Sequence, residues 1–475
     1  MLNEQLTKFD LMQGSLAPPK LEKLLKTSGP RRYGVVTATD GLSLKIDGLA
    51  GYAALGDMVR ISTDRRAGKK GVVESDRDVR ARIVAMDGDT VTGFAYGSLT
   101  GAAVGNMATL DRAGGDATPC DAWVGRIIDA FGAPMDEGPL RQGESPVPLE
   151  RAAQNAARRK KLGARLSTGL CVLDTLLPIC RGQRVGLFAG SGVGKTSLLG
   201  DIARGVDCDV AVIAMIGERG REVRAFIEDV LGPEGRKKSV VIASTADQSP
   251  LTKKRGAHLA MATAEYFRDQ GKQVLLMFDS LTRYAEAHRE IALSAGEAPS
   301  LHAFPPSTFR TIASLVERSG PGVEGQGDIT AVFAVLVAGS DQNEPVADMI
   351  RGILDGHIVL ERKIAERGRF PAIDVSRSVS RSLPGAANEA ENLLLREARA
   401  IIRAYEDSET IVRAGLYSHG ADAQIDRALE IWPKLDGFIA DKSAAGVAGS
   451  FKRLEALMHQ GARKKTASPN ANALN

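Results

Sequence analysis

The chain has 475 residues, which is enough for about three domains of ordinary size. Hydrophobic residues make up 43% of it and charged residues 25%, and the formal net charge is only +4. So small a charge argues against a protein that binds nucleic acid through bulk electrostatics, and leaves room only for a local basic patch. The four cysteines form no C-x-x-C pair and have no histidine cluster beside them, so we expect reduced thiols and neither a zinc site nor disulfides.

The first 30 residues form a short amphipathic segment, in which Leu2, Leu6 and Phe9 fall near helical spacing. Acidic residues occur early in this segment and it has no long apolar core, so it does not have the pattern of a signal peptide. No stretch of the chain approaches the roughly 20 apolar residues that a membrane-spanning helix requires. We expect a cytosolic protein, peripheral to a membrane at most, in which residues 1–30 are either a frayed terminus or a partner-docking helix.

Residues 31–112 consist of short β-rich runs separated by Gly-Asp and Asp-Gly turns. Regular strands with such turns predict a small β-barrel. A barrel that binds single-stranded nucleic acid needs exposed aromatic residues on its face. Only Tyr33, Tyr52, Phe94 and Tyr96 are available here. The pattern therefore favours a structural barrel over a nucleic-acid-binding one.

From residue 113 to 385, continuous β-branched and aliphatic runs alternate with helical segments, as expected for parallel strands that are buried on both faces. The predicted strands are 184–189, 209–217, 239–245, 273–279, 329–339 and 357–361. This alternation predicts an α/β domain with a doubly wound parallel sheet. Residues 386–460 predict a C-terminal helical domain, and residues 461–475 have the composition of a disordered tail.

The stretch AGSGVGKTS at 189–197 lies between a predicted strand and a predicted helix. It fits the phosphate-binding motif G-x-x-x-x-G-K-[ST], except that Ala189 stands in place of the first glycine. The predicted phosphate-binding residues are Gly190, Ser191, Gly192, Val193, Gly194, Lys195, Thr196 and Ser197. In such a loop the backbone N–H groups hold phosphate oxygens, Lys195 reaches the β- and γ-phosphates, and the Thr196 hydroxyl is a ligand of Mg²⁺. The stretch predicts ATP and Mg²⁺ as the bound species.

Two carboxylates follow other predicted strands. Asp279 ends the strand 273–279, in the arrangement of an acidic residue that holds Mg²⁺. Glu218 ends another apolar run, where a carboxylate can polarise an attacking water, and Arg219 beside it could stabilise phosphoryl charge. From position alone, Glu218 and Arg219 fit a surface pair on a loop about as well.

Long blocks of the chain resemble a known family. They include RGQRVGLFAGSGVGKTSLL at 181–199, MIGERGREVRAFIED at 215–229, ASLVERSG at 313–320 and the block 343–381. These residues resemble the catalytic subunits of rotary ATP synthases and, more closely, the flagellar protein export ATPases and their type III secretion relatives. The resemblance spans about residue 30 to 455. It implies a RecA-like P-loop ATPase domain between an N-terminal β-barrel and a C-terminal helical domain.

The resemblance also assigns roles to single residues. Glu218 matches the catalytic glutamate, and Arg219 and Arg283 match arginines around the phosphates and the magnesium. Arg381 matches the arginine finger that reaches into a neighbouring subunit's site. From the sequence alone it would be interpreted as a solvated surface arginine.

Two aromatic residues match positions beside the adenine. They are Phe304 and, more weakly, Tyr417. The family usually has Gly-Tyr-Pro-Pro where this chain has His302, Ala303 and Phe304, so a tyrosine hydroxyl is lost while the aromatic face is kept.

The resemblance implies Mg²⁺-dependent ATP hydrolysis by a homohexameric ring that energises export of flagellar proteins through a type III secretion apparatus. The partners it implies are further copies of the chain, a peripheral stalk-like regulator, the export gate and chaperone–substrate complexes. It places the ring at the cytoplasmic face of the inner membrane, without nucleic acid. The alternatives are a virulence injectisome ATPase, a rotary ATP synthase subunit, an RNA motor resembling transcription terminator Rho, and a non-catalytic nucleotide-binding subunit.

Overall fold

The computed structural model describes residues 32–41, 43–63, 78–111, 115–300, 304–337 and 345–460. The predicted docking segment 1–30 and the predicted tail 461–475 lie outside these residues. The chain forms two compact units, which meet in the sequence at residues 115 and 116. No helix in the described ranges is both long enough and apolar enough to span a membrane.

The first unit is a closed antiparallel barrel. Its strands, as far as described, are Tyr33–Thr39, Ser43–Asp47, Met58–Ile61, Val79–Asp87, Thr90–Ala95 and Met107–Asp111. Side chains alternate between the inside and solvent, so Leu44 and Ile46 are buried while Lys45 between them is exposed. Of the predicted aromatic candidates, Phe94 and Tyr96 are buried and Tyr33 and Tyr52 are exposed.

The second unit is built on a sheet that is mostly parallel. Its strands in the described ranges are Ile127–Ile128, Arg184–Ala189, Val210–Glu218, Ser239–Thr245, Val274–Asp279, Gly320–Pro321, Asp328–Leu336, Gly356–Leu360 and Ile373–Ser380. The predicted strands 184–189 and 239–245 are confirmed with the same bounds, and the other four are confirmed with shifted ends. The small pair Asp116–Ala117 and Val147–Pro148 forms a separate two-stranded sheet.

The order of these strands brings the functional residues together. Strand Arg184–Ala189 pairs in parallel with Asp328–Leu336, which pairs with Val274–Asp279, which in turn pairs with Val210–Glu218. Parallel strands end at the same edge of a sheet, and ligands bind at that edge in open α/β folds. The phosphate-binding loop, Asp279 and Glu218 therefore share one edge.

Helices cover both faces of the sheet, and the α/β class with its barrel and helical domains is confirmed. The helices of the described ranges are Cys171–Asp174, Lys195–Gly205, Gly220–Ala225, Gly232–Lys237, Pro250–Asp269, Leu281–Ser294, Pro306–Glu317, Pro345–Ile353, Arg362–Glu366, Glu389–Arg413, Ala423–Ala440 and Gly446–Gln460. A π-helical turn spans Phe226–Leu231. The last three helices pack on the same core cluster as Lys195–Gly205, through residues such as Ile402, Trp432 and Phe451.

The sequence sets where these helices begin. Ser249 and Ser280 accept backbone hydrogen bonds at the starts of Pro250–Asp269 and Leu281–Ser294. Asn388 and Glu391 form a reciprocal capping box at the start of Glu389–Arg413. Each cap satisfies N–H groups that have no partner inside the helix.

Candidate active site

The phosphate-binding loop turns from the strand Arg184–Ala189 into the helix that starts at Lys195. Gly192 and Gly194 have φ angles of 78° and 88°, a backbone region that side chains disfavour. Ala189 can stand in place of the first glycine of the motif because it is still the last residue of the strand and its methyl is buried. The loop thus places backbone N–H groups and the positive end of a helix dipole at one side of a cleft.

This cleft has a volume of about 730 Å³ and is lined by most of the residues predicted for the site. The predicted residues that line it are Gly190, Ser191, Gly192, Gly194, Lys195, Thr196, Glu218, Arg219 and Arg283. Asp279 is not among the lining residues, but it belongs to the same site because its carboxylate pairs with the Lys195 ammonium. Val193 is buried in the core, and Ser197 lies one residue beyond the lining.

Lys195 lies between two carboxylates. Its Nζ atom contacts Asp279 Oδ1 and lies 3.6 Å from Glu218 Oε1. The side chains of Lys195, Glu218 and Asp279 are only 12%, 13% and 10% exposed. Burial, and secondly the negative charge of Asp279, raise the pKa of the Glu218 carboxyl to about 7. A carboxyl that titrates near neutrality is suited to accept a proton from water.

The pKa of Glu218 predicts how activity depends on pH. Its carboxyl must be deprotonated to act as a base, so kcat/KM for ATP should fall by about tenfold per pH unit below pH 7 and level off above it. The carboxylate of Glu222 also raises this pKa. In the variant Glu222→Gln, the midpoint of the profile should therefore move to lower pH. A flat kcat/KM between pH 6 and 8 would contradict the role of Glu218 as the titrating base.

Arg219 and Arg283 frame the mouth of the cleft. Arg283 pairs with Glu286 at 2.8 Å, and its aliphatic part packs so closely on Gly217 that a methyl there would lie 2.7 Å from Arg283 Cβ. Arg219 pairs with Glu222 at 3.4 Å and is largely exposed. In the part of the chain that the structure describes, each guanidinium has one carboxylate partner in a pair that is exposed or half-buried. Such pairs are weak, so both groups can turn toward a bound anion.

Three further predicted residues, all from later parts of the chain, lie outside the lining of the cleft. Phe304 is buried in the core, with the Arg289 guanidinium 5.0 Å from its ring centre. Tyr417 lies in the loop before helix Ala423–Ala440 and donates a 2.8 Å hydrogen bond to Asp426. Arg381 follows the strand Ile373–Ser380 and is exposed. The structure does not bring these three side chains to the phosphate-binding loop of their own chain.

Two residues that the sequence analysis did not select lie against the phosphate-binding loop. Phe370 is 52% exposed, and a methyl placed on Gly194 would lie 3.1 Å from its ring atom Cδ1. Arg362 donates a 3.3 Å hydrogen bond from Nη2 to the Ser191 carbonyl. The only signal in the sequence was the Phe370–Pro371 pair, and nothing local connects it to a loop far earlier in the chain.

The donor atoms at the cleft fit a magnesium ion. Mg²⁺ prefers oxygen ligands and is held by few protein groups when it binds with nucleotide phosphates. The exposed hydroxyl of Thr196 and the Asp279 carboxylate are such donors at this edge. Glu218 Oε1 is buried and, within the described residues, takes part in no hydrogen bond. A cation or an ordered water beside it would satisfy this oxygen.

Two protein-family models match consecutive parts of this chain. Residues 169–380 match the model of the ATP synthase alpha/beta family, nucleotide-binding domain. Residues 387–465 match the model of the T3SS EscN ATPase C-terminal domain. The first match contains the phosphate-binding loop, Glu218 and Asp279, and the second contains the three C-terminal helices.

Individual relatives match most of the chain. The flagellum-specific ATP synthase of Caulobacter vibrioides is 43% identical over 87% of this chain and 92% of its own length. That of Salmonella typhimurium is 41% identical over 86% of this chain and 89% of its own. The assembled ATPase EscN from the enteropathogenic E. coli type III secretion system superposes with a TM-score of 0.82 at 33% identity, covering 90% of this chain and all of EscN. The chain is therefore an ATPase that belongs to the family of flagellum-specific ATP synthases and type III secretion ATPases.

Proposed function

We propose that this chain hydrolyses Mg-ATP as one subunit of a homohexameric ring, and that hydrolysis energises the export of flagellar proteins through a type III secretion apparatus. The observation that carries the hydrolysis is the placement of Lys195 between Glu218 and Asp279 at the mouth of a phosphate-binding loop. The flagellar assignment is favoured by relatives at about 40% identity over most of the chain, compared with 33% for EscN.

Each group at the cleft has a distinct role in this proposal. The N–H groups of the loop and Lys195 hold the phosphate oxygens. Thr196 and Asp279 would hold Mg²⁺, which neutralises charge on the phosphates when bound. Glu218 orients a water molecule and accepts its proton. Arg219 and Arg283, which line the same cleft, stabilise the charge on the phosphoryl group.

The aromatic residue best placed for the base is Phe370. Its ring is 52% exposed and lies against Gly194 of the phosphate-binding loop, so it could stack on a base bound there. Phe304 is buried beneath Arg289, so its contribution would be to support the cleft wall. Tyr417 would need to leave its hydrogen bond with Asp426 to reach a base.

The position of Arg381 supports a ring. This arginine is exposed and lies outside the lining of its own chain's cleft, as expected for a group that completes a neighbour's site. The relative EscN has been solved as an assembled ATPase and in complex with its central stalk, EscO. We extend both features to this chain, as a homohexamer with a stalk-like partner.

The remaining partners follow from the export role. Residues 1–30 would dock on a peripheral stalk-like regulator, and the ring would meet the export gate and chaperone–substrate complexes at the cytoplasmic face of the inner membrane. None of these contacts needs a segment that crosses the bilayer. Binding to nucleic acid is not part of the proposal.

ATPase activity per molecule, measured against protein concentration, tests the proposal. If identical subunits complete each other's sites, activity should rise sigmoidally as rings form, in step with the ring mass seen by mass photometry. The variant Arg403→Ala, which changes an exposed helix arginine away from the cleft, should follow the same curve. Full activity in monomers would contradict the shared site, and no activity at any concentration would revive the mixed ring of a rotary ATP synthase.

A further inference from the structure

Arg369, which precedes Phe370, holds the turn that positions the Phe370 ring. Arg369 is only 9% exposed. Its Nη1 donates a 3.0 Å hydrogen bond to the Pro371 carbonyl, and its Nη2 donates a 2.9 Å hydrogen bond to the Ile373 carbonyl. The two terminal nitrogens of one rigid guanidinium thus hold the backbone that leads away from Phe370.

The third nitrogen of the same guanidinium faces a different domain. Arg369 Nε lies 3.0 Å from Asp436 Oδ1, on the C-terminal helix Ala423–Ala440. The pair is close enough for an ion pair, but neither atom has the alignment of a hydrogen bond. A second link joins the same segment to the C-terminal helices, since Arg367 pairs with Glu409 at 3.4 Å.

The charge of Asp436 offsets the cost of burying the Arg369 guanidinium. Desolvation lowers the pKa of that guanidinium, and the charge of Asp436 is the main effect that opposes it. The Arg369 side chain is 8% exposed and that of Asp436 is 33% exposed, so removing the Asp436 charge leaves a buried cation without its main counter-charge, which destabilises its position. The position of Arg369, and with it the Phe370–Pro371 turn, therefore depends on where helix Ala423–Ala440 places Asp436.

We propose that the Arg369–Asp436 pair couples the C-terminal helical domain to the affinity of the cleft for the nucleotide base. Arg369 is a positioning residue, which acts through Phe370. A displacement of helix Ala423–Ala440 shifts Asp436, loosens Arg369 and moves the ring of Phe370 relative to Gly194. This inference rests on the proposed role of Phe370 as the platform for the base. Coupling is reciprocal, so a bound nucleotide must also change the stability of that helix.

The test separates the base from the phosphates. In full-length protein carrying Glu218→Gln, which prevents turnover, titration calorimetry gives the Kd of Mg-ATP and of magnesium tripolyphosphate. Adding Asp436→Asn should raise the Kd of ATP about tenfold and leave that of tripolyphosphate unchanged, because only ATP has a base. Glu397→Gln, which removes a C-terminal carboxylate paired with Arg427, is the matched control and should change neither.

Two further measurements complete the experiment. Asp436→Asn and Phe370→Ala should be non-additive for ATP affinity, since both act on one contact. ATP should also increase amide-exchange protection across residues 423–440, and Asp436→Asn should abolish that increase. Arg369→Lys keeps the charge but cannot span both carbonyls, so it should weaken ATP binding in the same way if Asp436→Asn proves too unstable to study.

The outcomes distinguish this inference from the function it rests on. Equal losses for ATP and tripolyphosphate, additive losses, or no loss at all with Asp436→Asn would overturn the coupling. If Phe370→Ala weakens ATP binding and Asp436→Asn does not, only the coupling fails. If Phe370→Ala leaves ATP affinity unchanged, the assignment of the base platform fails, and the coupling fails with it.

Discussion

Replacing Arg381 by alanine is expected to lower kcat by about 10³–10⁵-fold while nucleotide binding stays intact, the loss seen when an arginine finger is removed. Arg381 is exposed, and its backbone N–H is fixed by a 3.0 Å hydrogen bond to the Asp355 carbonyl. Its guanidinium has only a 3.5 Å contact with the Arg351 carbonyl and, within the described residues, no carboxylate partner. The backbone is therefore anchored while the charged group is available to a neighbouring subunit.

Mixed rings test whether Arg381 acts between subunits. Neither Arg381→Ala nor Glu218→Gln should hydrolyse ATP alone. When the two variants are mixed in equal amounts, about a quarter of the sites in a random ring combine an intact Glu218 with an intact Arg381 from the neighbour. Activity should return in the mixture. If it does not return although the variants co-assemble, Arg381 acts within its own chain or not at all.

Glu218→Gln is expected to bind Mg-ATP and to lose hydrolysis by several orders of magnitude, because the amide cannot accept a proton from water. Single-turnover measurements with saturating enzyme separate this loss of chemistry from a loss of binding. A variant that hydrolyses ATP normally would show that the base lies elsewhere. Glu228→Gln is a suitable control and should hydrolyse ATP normally, since Glu228 forms an exposed pair with Arg224 and does not line the cleft.

Glu218→Gln should also increase the free energy of unfolding of the nucleotide-free protein at high pH. Because the pKa of Glu218 is raised to about 7 in the folded chain, the folded state holds this proton more tightly than the unfolded state. The stability that this proton gives the folded state is complete below the pKa of the unfolded chain and is lost as pH rises through about 7. At pH 8, Glu218→Gln should therefore unfold later in urea, by on the order of 1–2 kcal/mol, and the gain should vanish near pH 4.

The sheet was predicted well where its strands are buried on both faces. Runs such as Val210–Glu218 and Asp328–Leu336 are almost continuously apolar, so they are visible without any knowledge of their neighbours. Strand Ile373–Ser380 was missed because it is an antiparallel edge strand with exposed polar positions. Its single buried face gives no continuous apolar run.

The sequence by itself determined the phosphate-binding loop, Glu218 and Asp279, because each lies at the carboxyl end of an apolar strand and parallel strands end at one edge. Only the tertiary structure decided that Phe370 lies against Gly194, that Phe304 is buried, and that Arg369 pairs with Asp436 on the distant helix Ala423–Ala440. Local patterns record which face of an element is buried. They carry no information about which distant side chains meet, since those contacts are set by how whole elements pack.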